Sequence, residues 1–168
     1  MEYVLIGKIV STHGIKGEIK IKSDFEFKDK VFASGSYIYI GNDKKKEKII
    51  SYRSHKGFDM VLLGEYNNIN QVLQFMGCDV YFNKDDLNLR DNQILDNDLI
   101  GLDVILNNEI LGQVVEVFRS STVQKVIRFK SDTKSYLVPY VESLIKIDGL
   151  NKKVILNSME GVLEMSLL

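Results

Sequence analysis

The chain has 168 residues, of which 45% are hydrophobic and 27% charged, with a net charge of −1. That apolar content excludes disorder as the main state, and no run approaches the ~18 apolar residues of a membrane-spanning helix. A single cysteine, Cys78, excludes an internal disulfide and is expected to be a small buried residue. The opening MEYVLIGKIVSTHG lacks the basic start, apolar run and small-residue site of a secretory leader, so a cytoplasmic protein is expected. With 22 Lys+Arg against 23 Asp+Glu, any nucleic-acid binding has to be local, because global binders carry a basic excess.

Strand patterns dominate the first half. The spacing predicts strands over 2–10, 18–22, 37–40, 47–53, 58–63 and 78–82, rich in Val, Ile, Tyr and Phe. Turn material at Gly35, Gly41-Asn42-Asp43 and Lys56-Gly57 separates them. One segment departs from period two. Ile69, Val72, Leu73 and Met76 stand at i, i+3, i+4 and i+7, which predicts a short helix capped by Asn67 or Asn68 and ended by Gly77.

The stretch 83–98 is rich in Asp and Asn and lacks periodicity, so it reads as a linker. After it, strands are predicted over 100–106, 110–118, 123–130, 135–141, 144–148 and 152–157. Pro139 marks its strand as an edge or a bulge. The fold class expected is mainly β: two small six-stranded β-barrels joined by a linker, with one short helix in the first. The expected boundaries are 1–84, linker 85–97 and 98–168.

Catalytic chemistry finds little support. There is no HExxH, CxxC or Walker loop, and the two histidines, His13 and His55, are far apart in sequence. Neither metal nor cofactor is expected. Gly14-Ile15-Lys16-Gly17 is a GxxG loop, but it joins two strands, whereas the KH-domain version joins two helices. Its glycines permit a sharp turn and close approach to a partner. Lys16 would project from the tip, and His13 could donate a hydrogen bond or stack on a base. Segment 7–22 carries Lys8, Lys16, Lys20 and Lys22 against Glu18 alone. The Lys44-Lys45-Lys46-Glu47-Lys48 run reads first as a solvated hairpin tip. Ile94 and Leu95 form an apolar pair in polar surroundings, which either docks on a domain or meets a partner.

Several blocks then resemble one family in order along the chain. Gly7-Lys8-Ile9-Val10 with His13-Gly14-Ile15-Lys16-Gly17-Glu18-Ile19-Lys20 is similar to the opening motif of the RimM ribosome maturation factors. The Phe-rich stretch 25–32 and Gly35-Ser36-Tyr37-Ile38-Tyr39-Ile40 look like its next blocks, although the proline after the first motif is missing. Asp98-Leu99-Ile100-Gly101, Leu111-Gly112-Gln113-Val114, Leu137-Val138-Pro139-Tyr140-Val141 and Glu160-Gly161-Val162-Leu163-Glu164 follow. The resemblance implies an N-terminal six-stranded barrel and a C-terminal PRC barrel. It implies a binding factor without catalysis that assists late assembly of the small (30S) ribosomal subunit and processing of its RNA. The implied partners are the subunit head, small-subunit ribosomal protein nineteen and nearby 16S rRNA.

His13, Gly14, Lys16, Gly17 and Lys20 are the candidates for contact with RNA or ribosome. Ile94 and Leu95 stand where the family carries an aromatic pair implicated in engaging the ribosomal protein, and they are the candidates for protein contact. A monomer with no membrane partner and no small-molecule substrate is expected. The rival reading is a small cofactor-binding barrel enzyme such as a flavin reductase. A third is a membrane-associated PRC-barrel adaptor.

Overall fold

A computed structural model describes residues 1–167, which divide into two compact units meeting in sequence between Asn88 and Leu89. The first unit is a closed barrel of six antiparallel strands in the order β1-β2-β5-β4-β3-β6. The strands are β1 (Tyr3–His13), β2 (Glu18–Lys22), β3 (Tyr37–Ile40), β4 (Lys45–His55), β5 (Phe58–Leu63) and β6 (Asp79–Asn83). Alternation explains the wall. Ile19 and Ile21 of β2, Ile38 and Ile40 of β3, and Val80 and Phe82 of β6 are buried, while the residues between them face outward. The pairing of β1 with β2 and β6, and of β4 with β5, shifts register, and such bulges bend strands so that a sheet can close.

Tyr39, between Ile38 and Ile40 of β3, is an exception to this alternation. It is an outward position, yet it is buried, because the Tyr3 ring packs edge-on against it at 5.0 Å. Two short helices accompany the barrel, α1 (Lys28–Val31) and α2 (Ile69–Val72). Only α2 is the helix predicted, and it differs in its inner face. The chain tightens to a 3-10 turn over Leu73–Phe75, so the period falls to three and Val72 and Phe75 are buried. Leu73 and Met76, predicted to face inward, are exposed. Cys78 is partly exposed rather than buried, with its thiol beside the Gln74 carbonyl.

The second unit is a seven-stranded sheet in the order β11-β12-β7-β8-β9-β10-β13. Its strands are β7 (Asp103–Leu106), β8 (Glu109–Arg119), β9 (Lys125–Lys130), β10 (Lys134–Pro139), β11 (Ile145–Asp148), β12 (Lys153–Leu156) and β13 (Leu163–Ser166). Six were predicted; the seventh, β13, pairs with β10 and lies at a sheet edge. All four β13 residues are exposed, so no burial pattern marks it in the sequence. Pro139 ends β10 beyond the residues paired to β13, where its missing N–H breaks no bond on that side. The core gathers Val104, Val114, Ile127, Phe129, Val138 and Val154, with Phe129 stacked on its cross-strand partner Tyr136 at 4.6 Å.

The expected linker 85–97 is not a free tether. Leu87 is buried, and Leu89 onward belongs to the second unit. Ile94 is 3% exposed and sits in the second unit's core, and Leu95 is 4% exposed. Leu95 also begins a third helix, α3 (Asp96–Leu99), by accepting hydrogen bonds from the N–H groups of Asp98 and Leu99. The segment is anchored further on, where the Gly149 N–H donates to the Asp91 carbonyl at 2.7 Å. A Cβ at Gly149 would lie 2.7 Å from that oxygen, so the approach needs glycine. Of the two alternatives for Ile94 and Leu95, the burial fits docking on a domain, and direct contact of the pair with a protein partner is corrected: both side chains are buried.

Candidate nucleic-acid interface

The GxxG loop is a tight reversal joining β1 to β2, whose last pair is His13 with Glu18. Both glycines take left-handed backbone, Gly14 at φ +73° and Gly17 at φ +88°. Their surroundings differ. Gly17 is buried, and a Cβ there would lie 2.8 Å from the Asn68 carbonyl oxygen, whereas Gly14 has open space around it. The loop is fastened to the start of α2. The Ile69 N–H donates to the Ile15 carbonyl at 3.1 Å, and Asn68 caps the helix by accepting from the Gln71 N–H. Lys16 and Ile15 are left at the tip, exposed.

Lys20 lies further along β2. Cross-strand pairing puts it beside Met60 of β5, and Met60 beside Arg53 of β4. Partners in a sheet share a face, so Lys20 and Arg53 stand on one outer row. The Lys20 ammonium rests 4.0 Å from the centre of the Phe58 ring, and His55 is the cross-strand partner of Phe58. The His55 and His13 rings are 5.8 Å apart. Thus the loop and the β4–β5 hairpin bring His13, Lys20, Arg53, His55 and Phe58 to one side of the barrel. Sequence reading missed Arg53, His55 and Phe58. They join this face only through the β2–β5–β4 pairing, which no local pattern reveals.

The face is cationic. Glu18 is its acidic member, and Arg53 holds it with two hydrogen bonds of 2.9 and 2.7 Å. Those bonds keep the Glu18 carboxyl below its ordinary range, against the opposing effect of partial desolvation. The Arg53 guanidinium is correspondingly held above its usual value by Glu18. His55 is pushed below its usual value, first by partial desolvation and then by Arg53, Lys56, His13 and Lys20. Lys8 and Lys22 are direct cross-strand partners, an unfavourable like-charge pair. Asp79 flanks Lys8 on its other side.

A buried network braces the β4–β5 hairpin from below. Asp59 is 2% exposed, accepts from the Tyr52 hydroxyl at 2.7 Å and meets the Lys28 ammonium at 2.9 Å. Lost solvent, then the Asp59 carboxylate, pushes the Tyr52 phenol up to about 12. The hydroxyl therefore stays a donor at neutral pH, and Phe32 stacks on its ring at 6.0 Å. Among the described residues no three His, Cys, Asp or Glu side chains are grouped to hold a metal ion. No helix among them is long and apolar enough to cross a membrane. What the face offers is fixed ammonium and guanidinium groups, imidazoles and one aromatic ring, a set suited to phosphate and base contact.

Family models and known relatives match nearly the whole chain. Residues 4–87 match the RimM N-terminal domain, and residues 96–162 match the RimM PRC barrel domain. The ribosome maturation factor RimM of Staphylococcus haemolyticus is 38% identical, over 96% of this chain and 99% of its own. That of Staphylococcus aureus is 35% identical over the same shares. A crystal structure of a Pseudomonas aeruginosa protein described as a 16S ribosomal RNA processing protein, RimM, covers 94% of this chain and 98% of its own, at 21% identity and a TM-score of 0.42. With both domain models matched and full-length relatives above one-third identity, the chain belongs to the RimM family.

Proposed function

We propose that this chain is a maturation factor of the small ribosomal subunit that acts by binding, without catalysis of its own. It engages the head of the immature 30S particle, meeting small-subunit ribosomal protein nineteen and adjacent 16S rRNA, and assists late assembly and rRNA processing. It does so as a monomer in the cytoplasm. The observation that carries this reading is the match of both its domains to RimM, in order and over nearly the full chain. The cationic face supports the RNA half of it. His13, Lys16, Lys20 and Arg53 can meet phosphates, and Phe58 or His13 can meet a base. Gly14 and Gly17 shape the tip that carries Lys16. A binding factor drives assembly only if it prefers one state of its target, so complementarity to the unfinished head is the mechanism. Ile94 and Leu95 reach the ribosomal protein only through the surface they support, since both are buried.

The test is a pull-down of the tagged full chain with immature small subunits and, separately, with purified ribosomal protein nineteen. Retention of both supports the reading, and retention of neither at low salt removes it. Lys16→Glu should weaken subunit binding and flatten its log–log salt dependence by roughly 0.7–0.9, the share of one phosphate contact. An unchanged slope would make Lys16 a plain turn residue.

A further inference from the structure

The opposite wall of the first barrel carries a second surface. In its register Leu5 of β1 faces Tyr81 of β6, Tyr81 faces Tyr39 of β3, Tyr39 faces Lys46 of β4 and Tyr37 faces Lys48. The inner side of this wall is taken by Ile38, Ile40, Val80 and Phe82. Tyr37, Tyr39 and Tyr81 therefore lie together on the outside, with Tyr3 closing edge-on over Tyr39. These are four of the chain's eight tyrosines. Tyr37 is 44% exposed, and Tyr3 and Tyr81 are half-buried.

Lysines decorate this face. The Lys44 ammonium is 4.0 Å from the centre of the Tyr81 ring and 5.8 Å from that of Tyr3, and the Lys46 ammonium is 4.5 Å from that of Tyr37. Nearby carboxylates are Asp43 in the β3–β4 turn and Asp79, which opens β6 two residues before Tyr81, beside the same turn, and pairs with Lys8. The lysine run that reads as a solvated tip in the sequence thus lies along a row of rings.

Rings flanked by ammonium groups on a sheet suit one kind of ligand: a strand with unpaired bases to stack and phosphates to neutralise. A duplex offers phosphates but keeps its base faces covered. Contact of an exposed ammonium with a ring is weaker than stacking of a base on it, so an incoming base displaces the lysine toward its own phosphate. We propose that the β1–β6–β3–β4 face binds an unpaired RNA segment, with bases on Tyr37 and Tyr81 and phosphates on Lys44, Lys46 and Lys48. The two RNA-contacting faces then lie on opposite sides of the barrel ring. The inference goes beyond the proposed ribosomal role, because free RNA tests it without any subunit.

The full chain is titrated with a labelled unpaired RNA of roughly ten nucleotides, within the span one small barrel covers, and with the same strand annealed to its complement. The unpaired strand should bind at least about tenfold tighter. Tyr37→Leu and Tyr81→Leu should each weaken it at least about fivefold, while Tyr81→Phe keeps the affinity. Lys46→Gln leaves every ring in place and should flatten the salt dependence by roughly 0.7. The chain has no tryptophan, so tyrosine emission is observed unmasked, and quenching that is lost in Tyr37→Leu and Tyr81→Leu reports stacking on those rings. Thermal melts identify any variant that is misfolded, in which case Tyr81→Phe and Lys46→Gln decide. Equal affinity for strand and duplex, or tyrosine variants that bind as wild type does, overturns the proposal. So does a Tyr37→Leu variant that loses purified ribosomal protein and keeps RNA, which would assign the face to protein.

Discussion

Gly14 and Gly17 are interchangeable in the sequence and distinct in the fold. Gly14→Ala meets no atom and suffers only the left-handed backbone, a cost of about 1 kcal/mol. Gly17→Ala adds a 2.8 Å collision with the Asn68 carbonyl, so it should cost several times as much and release the loop from α2. Paired denaturation curves check this, and equal losses would contradict it. His55 offers a second test at this scale. Its pKa is depressed below 6.5 in the folded chain. Well above 6.5 the ring is neutral folded or unfolded, and no stability depends on it. As pH falls below 6.5, the unfolded chain takes the proton first, so stability drops until the folded pKa is passed. Bound phosphate reverses the sign for binding: it favours the charged ring, so RNA affinity should rise as pH falls through the same window. A ring-proton NMR titration of His55 should give a midpoint below 6.5 that moves up when RNA is added. A free-state midpoint at or above 6.5 would contradict the account.

Among the elements, legibility followed burial on one face. β2 stands out because its inner residues are buried and their neighbours alternate, and its limits match the alternating run; β3 alternates in sequence alike, although Tyr39 on its outer side is buried too. β13 is exposed throughout and carries no such signal. The apolar spacing places the helix at 69, but the switch to a 3-10 turn rotates its last residues, which a fixed 3.6 period cannot express. The segment before α3 misleads for another reason. Its Asp and Asn residues resemble a tether, while two apolar residues among them hold it down. Ile94→Ser with Leu95→Ser should therefore destabilise the second unit by several kcal/mol, since truncating one buried aliphatic side chain costs about 2–5 kcal/mol. A fragment beginning at residue 89 should likewise melt well above one beginning at residue 97, which lacks Ile94 and the Asp91 anchor for Gly149. Equal melting temperatures for the two fragments, or a double mutant as stable as wild type, would return this segment to the status of a tether.

At the scale of the whole molecule, near-neutral charge conceals a local asymmetry. The net charge of −1 gives no hint of nucleic acid, yet one side of the first barrel gathers Lys20, Arg53, His13 and His55 around a single engaged glutamate. The GxxG loop and Lys20 were legible as candidates because they are contiguous. Their partners were not, because pairing across β2, β5 and β4 joins residues more than thirty apart in sequence. The central claim is differential binding, and it is tested by measuring the affinity of the intact chain for immature and for mature small subunits at one salt concentration. The account predicts at least about tenfold tighter binding to the immature particle, a preference of about 1.4 kcal/mol. Equal affinity for the two particles would contradict it, because a factor that binds both states alike cannot advance one into the other.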